Sequence, residues 1–314
     1  MVDGVNGWKF QRGLNDDFMC KLKKVAEVPG WFADVLGDEH LILGIRNNYL
    51  DVYYRGQRLF HVTDEKGRLR VRTHPKYLVD PTMEGEIDLF EHKFDWGVRD
   101  PVARTYGADT LNKMKRAAAY YSPEEKKGTY RIIRGNQNVL DVEIAFGKQS
   151  PQGTIGTEKQ PSQIDIACLE MVNSQIRLHF WEAKRYANRE LFASVGDAKV
   201  VDQIKSYRQY LKLHRPEVVE SYKAVARNLV EISGWAHADR EIGDLVREVG
   251  KNGCLYMEEA PVVGLAVFDY DDAQQKGDRF KTMKARLQAK IQPVVCKGDP
   301  RGLNLVAGSL PPAF

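Results

Sequence analysis

The sequence contains no run of 18 apolar residues, and its four cysteines are scattered without paired spacing. The first absence predicts that no segment crosses a membrane. The second argues against a zinc site or a disulfide framework and fits a reducing compartment. The seven histidines form no His-x-x-x-His pair, and the N-terminus lacks a basic segment followed by an apolar one. We therefore expect a cytoplasmic protein without imidazole metal sites or a signal peptide.

The composition is that of a globular protein with an uneven distribution of charge. Its 314 residues are 43% hydrophobic and 29% charged, which allows a large core in one or two domains. The net charge is only +4, but residues 181–215 hold eight Lys or Arg against four acids. A basic rim of this kind suits a polyphosphate backbone, although any one of these side chains could equally belong to a solvated helix face. The predicted nucleic-acid contacts among them are Arg185, Arg189, Lys199, Lys205 and Arg208.

Two apolar segments separated by a polar turn carry the strongest chemical signal. Residues 162–170 and 175–184 are predicted to form two strands joined by a hairpin. Side chains alternate along a strand, so Glu182 and Lys184 emerge on the same face, and the neighbouring strand can bring Asp165 alongside them. Two carboxylates and an amine in an apolar sheet are costly to bury unless they hold a cation and touch a reacting group.

These residue types suit Mg²⁺-dependent cleavage of a phosphodiester bond. A Mg²⁺ ion lowers the pKa of bound water and polarises the phosphoryl group. It keeps several of its waters, so two or three acidic ligands suffice. Asp165 and Glu182 are the predicted core ligands, the Ala183 carbonyl is an additional one, and Mn²⁺ is expected to substitute. Lys184 would orient or help deprotonate the attacking water, or stabilise the phosphate.

The same residues resemble the PD-(D/E)xK nuclease superfamily. The sequence Glu-Ala-Lys at 182–184 ends an apolar segment, and Asp165 lies 17 residues upstream. Gln203 and Tyr207 follow, similar to the Gln-x-x-x-Tyr helix of the exonuclease-like branch. Ile164 stands where the motif has the Pro that names it, a position that carries no chemistry. The resemblance covers roughly residues 130 to 270.

The resemblance implies further roles at the site. Glu143 falls where the exonuclease-like branch places a helix-borne Glu, and would complete the site for one ion or help hold a second. Gln203 and Tyr207, four apart on one helical face, would position the substrate phosphate or the water. The alternatives are structural: Glu143 could cap a helix or form a salt bridge, and Tyr207 could be a core aromatic of an amphipathic helix.

The N-terminal part is predicted to be a separate β-rich module. Residues 41–73 show four apolar segments with turns at about ten-residue spacing, which indicates an antiparallel meander after a helix around 15–27. Basic side chains outnumber acids eight to four between 41 and 80, and tyrosines are interleaved among them. Such a surface could grip a nucleic acid, or the tyrosines could pack the core of the sheet.

The fold prediction is α/β: a restriction endonuclease-like core with a mixed central sheet flanked by helices, plus the N-terminal antiparallel module. The predicted divisions are residues 1–80 for the module, 81–125 for a connector with a helix over 109–121, and 126–314 for the nuclease domain. A loop is predicted over 147–160, a helical stretch over 217–249, a central parallel strand over 261–270 and a helix over 279–291.

The expected function is metal-dependent hydrolysis of DNA, in defence against foreign DNA or in repair. RNA is not excluded as the substrate, because nothing in the sequence reads a base. The chain could instead be a nucleic-acid-binding or assembly subunit that no longer cuts. A homodimer, or membership of a multiprotein defence or repair complex, rests on analogy with the superfamily alone.

Overall fold

The computed structural model describes residues 10–78, 87–90, 92–95, 105–146, 163–236, 238 and 241–307. It is an α/β protein with two β-sheets. The predicted loop over 147–160 and much of the predicted connector lie outside the described residues. Within the described part, no helix is long and apolar enough to cross a membrane.

The first sheet is a six-stranded antiparallel meander whose strands follow one another in chain order. Its elements are α1 (Asp16–Ala26), α2 (Trp31–Leu36), β1 (Ile42–Ile45), β2 (Tyr49–Tyr54), β3 (Gln57–Glu65), β4 (Arg68–Thr73), β5 (Ile87–Phe90) and β6 (Lys93–Asp95). The predicted helix and meander are confirmed. Asn48, Gly56 and Gly67 adopt positive φ at the three predicted turns, as tight hairpins require. The sheet continues to Asp95, past the predicted boundary at residue 80.

The tyrosines of the meander pack against protein side chains. Tyr53 is buried, Tyr49 lies edge-on to His61, and Tyr54 packs against Tyr130. Core packing, one of the two predicted roles, is confirmed for Tyr53, whereas Tyr49 and Tyr54 are half-buried.

The second sheet is mixed, in the strand order β11-β10-β9-β8-β7. Its elements are α3 (Thr110–Tyr121), α4 (Glu124–Arg134), β7 (Val139–Ile144), β8 (Ile164–Val172), β9 (Gln175–Arg185), a 3-10 helix (Arg189–Leu191), α5 (Lys199–Leu213), α6 (Arg215–Ser233), α7 (Asp244–Asn252), β10 (Val263–Phe268), α8 (Asp272–Lys276), α9 (Asp278–Gln288) and β11 (Val294–Lys297). The strands β7, β8 and β9 pair antiparallel, and β10 pairs parallel with both β9 and β11.

The central elements of this sheet match the sequence predictions. The hairpin between β8 and β9 turns at Asn173 and Ser174, both with positive φ. The apolar strand β10 is parallel to its neighbours. The helices expected near 109–121 and 279–291 are α3 and α9, and the polar stretch over 217–249 contains α6 and most of α7.

One prediction is wrong: Glu143 does not lie on a helix. The segment around it forms strand β7, and the preceding helix is α4. The sequence from Val139 to Ile144 is half β-branched, and it pairs with the apolar strand β8, so packing in the sheet outweighs helix propensity here.

A buried ion-pair network joins the two sheets. Arg46, directly after β1, forms a short ion pair with Asp141 on β7, and both residues are at most 2% exposed. The Arg46 guanidinium also donates to the Val142 carbonyl over 2.7 Å. Tyr222 donates to the other oxygen of Asp141 over 3.3 Å. This network fixes β7 against the meander, two residues before Glu143.

We expect Arg46→Met to lower the free energy of unfolding by about 3 kcal/mol, because it leaves the Asp141 carboxylate buried without its main cation. Urea denaturation measures the change. The control is Arg70→Met, which removes the ion pairs that a 43% exposed arginine forms with Glu65 and Asp88 and should cost no more than about 1 kcal/mol. Equal losses in the two variants would show that the buried network does not hold the sheets together.

Candidate active site

Three carboxylates lie on adjacent strands of the second sheet. Ile166 of β8 pairs with Trp181 of β9, so Asp165 and Glu182, the next residue on each strand, are neighbours. The pairs Ile144–Ile164 and Val142–Ile166 flank the position where Glu143 of β7 lies opposite Asp165. The structure thus brings together all three predicted acidic ligands.

These side chains are buried. The exposed fractions are 9% for Glu143, 8% for Asp165, 2% for Glu182 and 7% for Lys184. Glu143 also adopts a left-handed backbone with φ of 52°. For a residue with a side chain this conformation costs about 1–3 kcal/mol, and such residues cluster at functional sites.

Lys126 of α4 bridges two of the carboxylates, and sequence reasoning missed it. Its ammonium lies 2.7 Å from both oxygens of Glu143 and 3.2 Å from Asp165 Oδ1. Helix α4 approaches the sheet closely at Gly128, where an added Cβ would lie 2.0 Å from the Phe268 ring. Burial alone would lower the pKa of Lys126, but Asp165 and Glu143 raise it overall, so the ammonium stays charged.

A second row of alternating charges begins at Glu182. Lys184 lies 2.8 Å from Glu182 Oε1 and 2.9 Å from Glu190 Oε2, and Lys199 pairs with the other oxygen of Glu190. Burial would lower the pKa of Lys184, but its carboxylate partners raise it. Lys184 is therefore held as a charged donor beside Glu182.

The crowding of carboxylates changes their protonation. Burial, followed by the charge of Asp165, raises the pKa of Glu182 to about 8, and Lys184 offsets only part of this. Burial also raises the pKa of Glu143, against the opposing effect of Lys126. The second oxygen of Glu182, Oε2, is buried without a hydrogen-bond partner among the described residues.

The backbone of Ala183 takes part in the site through its N–H, whereas the prediction concerned its carbonyl. Its N–H donates to Asp165 Oδ2 over 2.9 Å, which fixes the orientation of that carboxylate. The predicted role of the Ala183 carbonyl as a metal ligand stays a prediction.

Gln203 and Tyr207 lie together on α5, as predicted. The Gln203 amide donates to the Tyr207 hydroxyl over 2.7 Å, and that hydroxyl donates to the Gln163 carbonyl over 2.7 Å. Tyr207 is fully buried, so it acts as a core aromatic that also anchors the start of β8, two residues before Asp165. Contact with a substrate phosphate stays a prediction.

The five predicted nucleic-acid contacts differ in their surroundings. Arg185 pairs with Asp269 over 2.5 Å, and Lys199 and Lys205 pair with Glu190 and Asp197. The guanidinium of Arg208 instead donates to the carbonyls of Val263 and Gln292, which gives it a structural role between α5 and the sheet. Arg189 is exposed and has no ion pair within the described ranges.

Two of the missed residues, Glu125 and Lys126, lie on α4. The Glu125 carboxylate accepts hydrogen bonds from the Arg185 N–H and the Asn188 amide, which orders the chain after Lys184. Ser122-Pro-Glu-Glu is a helix-start pattern in the sequence, with Pro at the beginning and acids in the first turn. That signal predicts the helix but not its partners, because only the tertiary fold lays α4 on the sheet.

Among the described residues, no three His, Cys, Asp or Glu side chains are arranged as a ready set of metal ligands. The Lys126 ammonium lies between Glu143 and Asp165. Comparison of the chain with protein-family models, with curated proteins and with solved structures finds no significant match.

The stability of the protein should fall as the pH rises from 5 to 8. The pKa of Glu182 is about 8 in the folded state, against an ordinary value near 4.5, so the folded state holds a proton that the unfolded state loses. Such a group contributes a slope of at most about 1.4 kcal/mol per pH unit. Glu182→Gln should flatten the slope in urea denaturation, whereas Glu220→Gln on an exposed ion pair should not. A wild type that gains stability over this range would contradict the arrangement.

Proposed function

We propose that the protein is a metal-dependent nuclease that hydrolyses DNA phosphodiester bonds. The observation that carries the proposal is the group of three buried carboxylates, Glu143, Asp165 and Glu182, beside the charged amine of Lys184. Burying like charges on neighbouring strands lowers the stability of the folded state. Such residues are therefore expected where they take part in catalysis. The resemblance to the PD-(D/E)xK superfamily adds the expectation of a nucleic-acid substrate.

The donor set fits a hard divalent cation such as Mg²⁺ or Mn²⁺. All three acids offer oxygen ligands, and Glu182 Oε2 has no hydrogen-bond partner within the described residues. A cation bound by Asp165 and Glu143 would take the place of the Lys126 ammonium, so Lys126 has to move aside. Deprotonation of Glu182 would accompany binding, since carboxylate ligands bind metals in their charged form.

When bound, the metal ion would lower the pKa of the attacking water and polarise the phosphate. Lys184 would act as a charged donor to a phosphate oxygen or to the water. The raised pKa of Lys184 favours the role of charged donor over that of a base. The sequence alone left both roles open. Glu190 holds the Lys184 ammonium in place from the side opposite Glu182. Lys126, once released from the carboxylates, would provide a second cation for the phosphate.

One observation favours a second candidate, a nucleic-acid-binding subunit that does not cut. The Lys126 ammonium already neutralises part of the charge on Glu143 and Asp165. If that contact persisted in the presence of a divalent cation, the acidic cluster would be a structural ion-pair network. Cleavage assays separate the two candidates.

The test is incubation of purified protein with supercoiled plasmid in Mg²⁺, Mn²⁺ or EDTA. We expect metal-dependent nicking or linearisation, and a loss of about 10²-fold or more in rate for Lys184→Ala. The control Lys223→Ala removes a lysine from a surface ion pair on α6 and should cut like the wild type.

Cleavage that persists in Lys184→Ala would show that a different site or a contaminant is responsible. Retarded mobility of DNA without cleavage by the wild type would favour the binding subunit. Single-stranded DNA and RNA in the same assay define the substrate class.

A further inference from the structure

An apolar cleft of about 490 Å³ lies between the 3-10 helix and the start of α5 on one side and α9 on the other. Its floor consists of side chains that are almost fully buried. The residues of the floor are Leu191, Val201, Met283 and Leu287. A cleft of this volume with an apolar floor is typical of a small-ligand site.

The rim of the cleft carries two guanidinium groups, those of Arg279 and Arg286. Within the described ranges, neither Arg279 nor Arg286 forms an ion pair. Arg279 lies 4.3 Å above the Phe192 ring, and Arg286 donates to the Ala193 carbonyl over 3.0 Å. Of the two acids on the rim, Asp197 is already paired with Lys205 and Lys290, and Asp278 is exposed in the first turn of α9. The cleft therefore suits a ligand with a flat apolar body and a negative charge.

One short segment of the chain, residues 190–192, contributes to both the carboxylate site and the cleft. Leu191 directly follows Glu190, whose carboxylate holds Lys184. Phe192, on the wall of the cleft, packs edge-on against Tyr186, two residues beyond Lys184. The segment that holds the Lys184 ammonium therefore also forms one wall of the cleft.

We propose that the cleft binds one nucleotide of the substrate strand, adjacent to the bond that is cut. The base lies against the apolar floor and the Phe192–Arg279 pair, and its phosphate faces the guanidinium groups. Stacking of a base on an aromatic ring and an arginine is a common and sequence-tolerant contact with single strands. This inference rests on the proposed function, because it makes the ligand part of a nucleic-acid substrate.

The variant Thr282→Trp tests the assignment. Thr282 lies on the cleft side of α9 and is exposed, so a large side chain there fills the cleft without disturbing the core. The matched control is Ala285→Trp, an equally exposed position on α9 outside the cleft. Fluorescence anisotropy measures the binding of a labelled single-stranded oligonucleotide to the full-length proteins in Ca²⁺ and in EDTA. We expect Thr282→Trp to bind about tenfold more weakly than the control.

Oligonucleotides with one abasic position provide the second arm. In a series in which the abasic position moves along the oligonucleotide, one member should bind about tenfold more weakly to the wild type and to Ala285→Trp. That member lacks the base that occupies the cleft. The same abasic position should not further weaken the binding of the oligonucleotide to Thr282→Trp. Equal affinities for all abasic positions, or equal binding by the two Trp variants, would overturn the inference and leave the nuclease proposal intact.

Two other outcomes would also overturn the assignment. If a free mononucleotide binds more tightly than the oligonucleotide, and Thr282→Trp abolishes only that binding, the cleft is an effector site. If no oligonucleotide binds to any of the proteins, this inference fails; the proposed function fails with it only if the plasmid is also left uncut. Arg279→Gln and Arg286→Gln, compared with Lys281→Gln outside the cleft, should weaken binding and reduce its dependence on salt.

Discussion

Three carboxylates buried side by side need positive charge close to them. Glu143, Asp165 and Glu182 lie on consecutive strands, where burial and the charge of Asp165 disfavour the ionised forms of Glu143 and Glu182. Two lysines from different parts of the chain supply the compensation: Lys126 between the first two acids and Lys184 beside the third. The proton retained by Glu182 supplies the remainder. Helix α4 carries Lys126 to the carboxylates, and Tyr207 anchors the start of β8 near Asp165. Glu190 of the 3-10 helix holds the Lys184 ammonium.

The meander contributes to the site through β7. Arg46 and Asp141 fix this strand, and Arg12 adds a hydrogen bond to the Ala145 carbonyl just beyond Glu143. The strained backbone at Glu143 is thus held between two anchored positions. At the other end of the site, Glu125 holds the chain that follows Lys184, and Glu190 holds the Lys184 ammonium. Polar contacts on both sides thus hold the buried carboxylates in place. Fixing the positions of site residues in this way is what a catalytic or binding site requires.

The sequence predicted the elements whose own pattern is strong. Two apolar segments separated by a polar turn identified the hairpin of β8 and β9, and the acid–lysine spacing on β9 identified Glu182 and Lys184 as a pair on one face. It failed where tertiary packing decides. Glu143 was expected on a helix because the exonuclease-like branch places its Glu there, and pairing with β8 makes the segment a strand. Lys126 was missed because its partners are 17 and 39 residues away in the chain. The role of Arg208 in binding the backbone of β10 depends on the same long-range packing.

The central claim is that a divalent cation replaces the Lys126 ammonium at the carboxylates. Anomalous diffraction from crystals of the protein soaked in Mn²⁺ tests it most directly. The account predicts one strong peak about 2.0–2.3 Å from carboxylate oxygens of Asp165 and Glu143, with Lys126 moved away from both acids. No peak at these residues at saturating Mn²⁺, with Lys126 still bridging the two acids, would contradict it and identify the cluster as a structural ion-pair network.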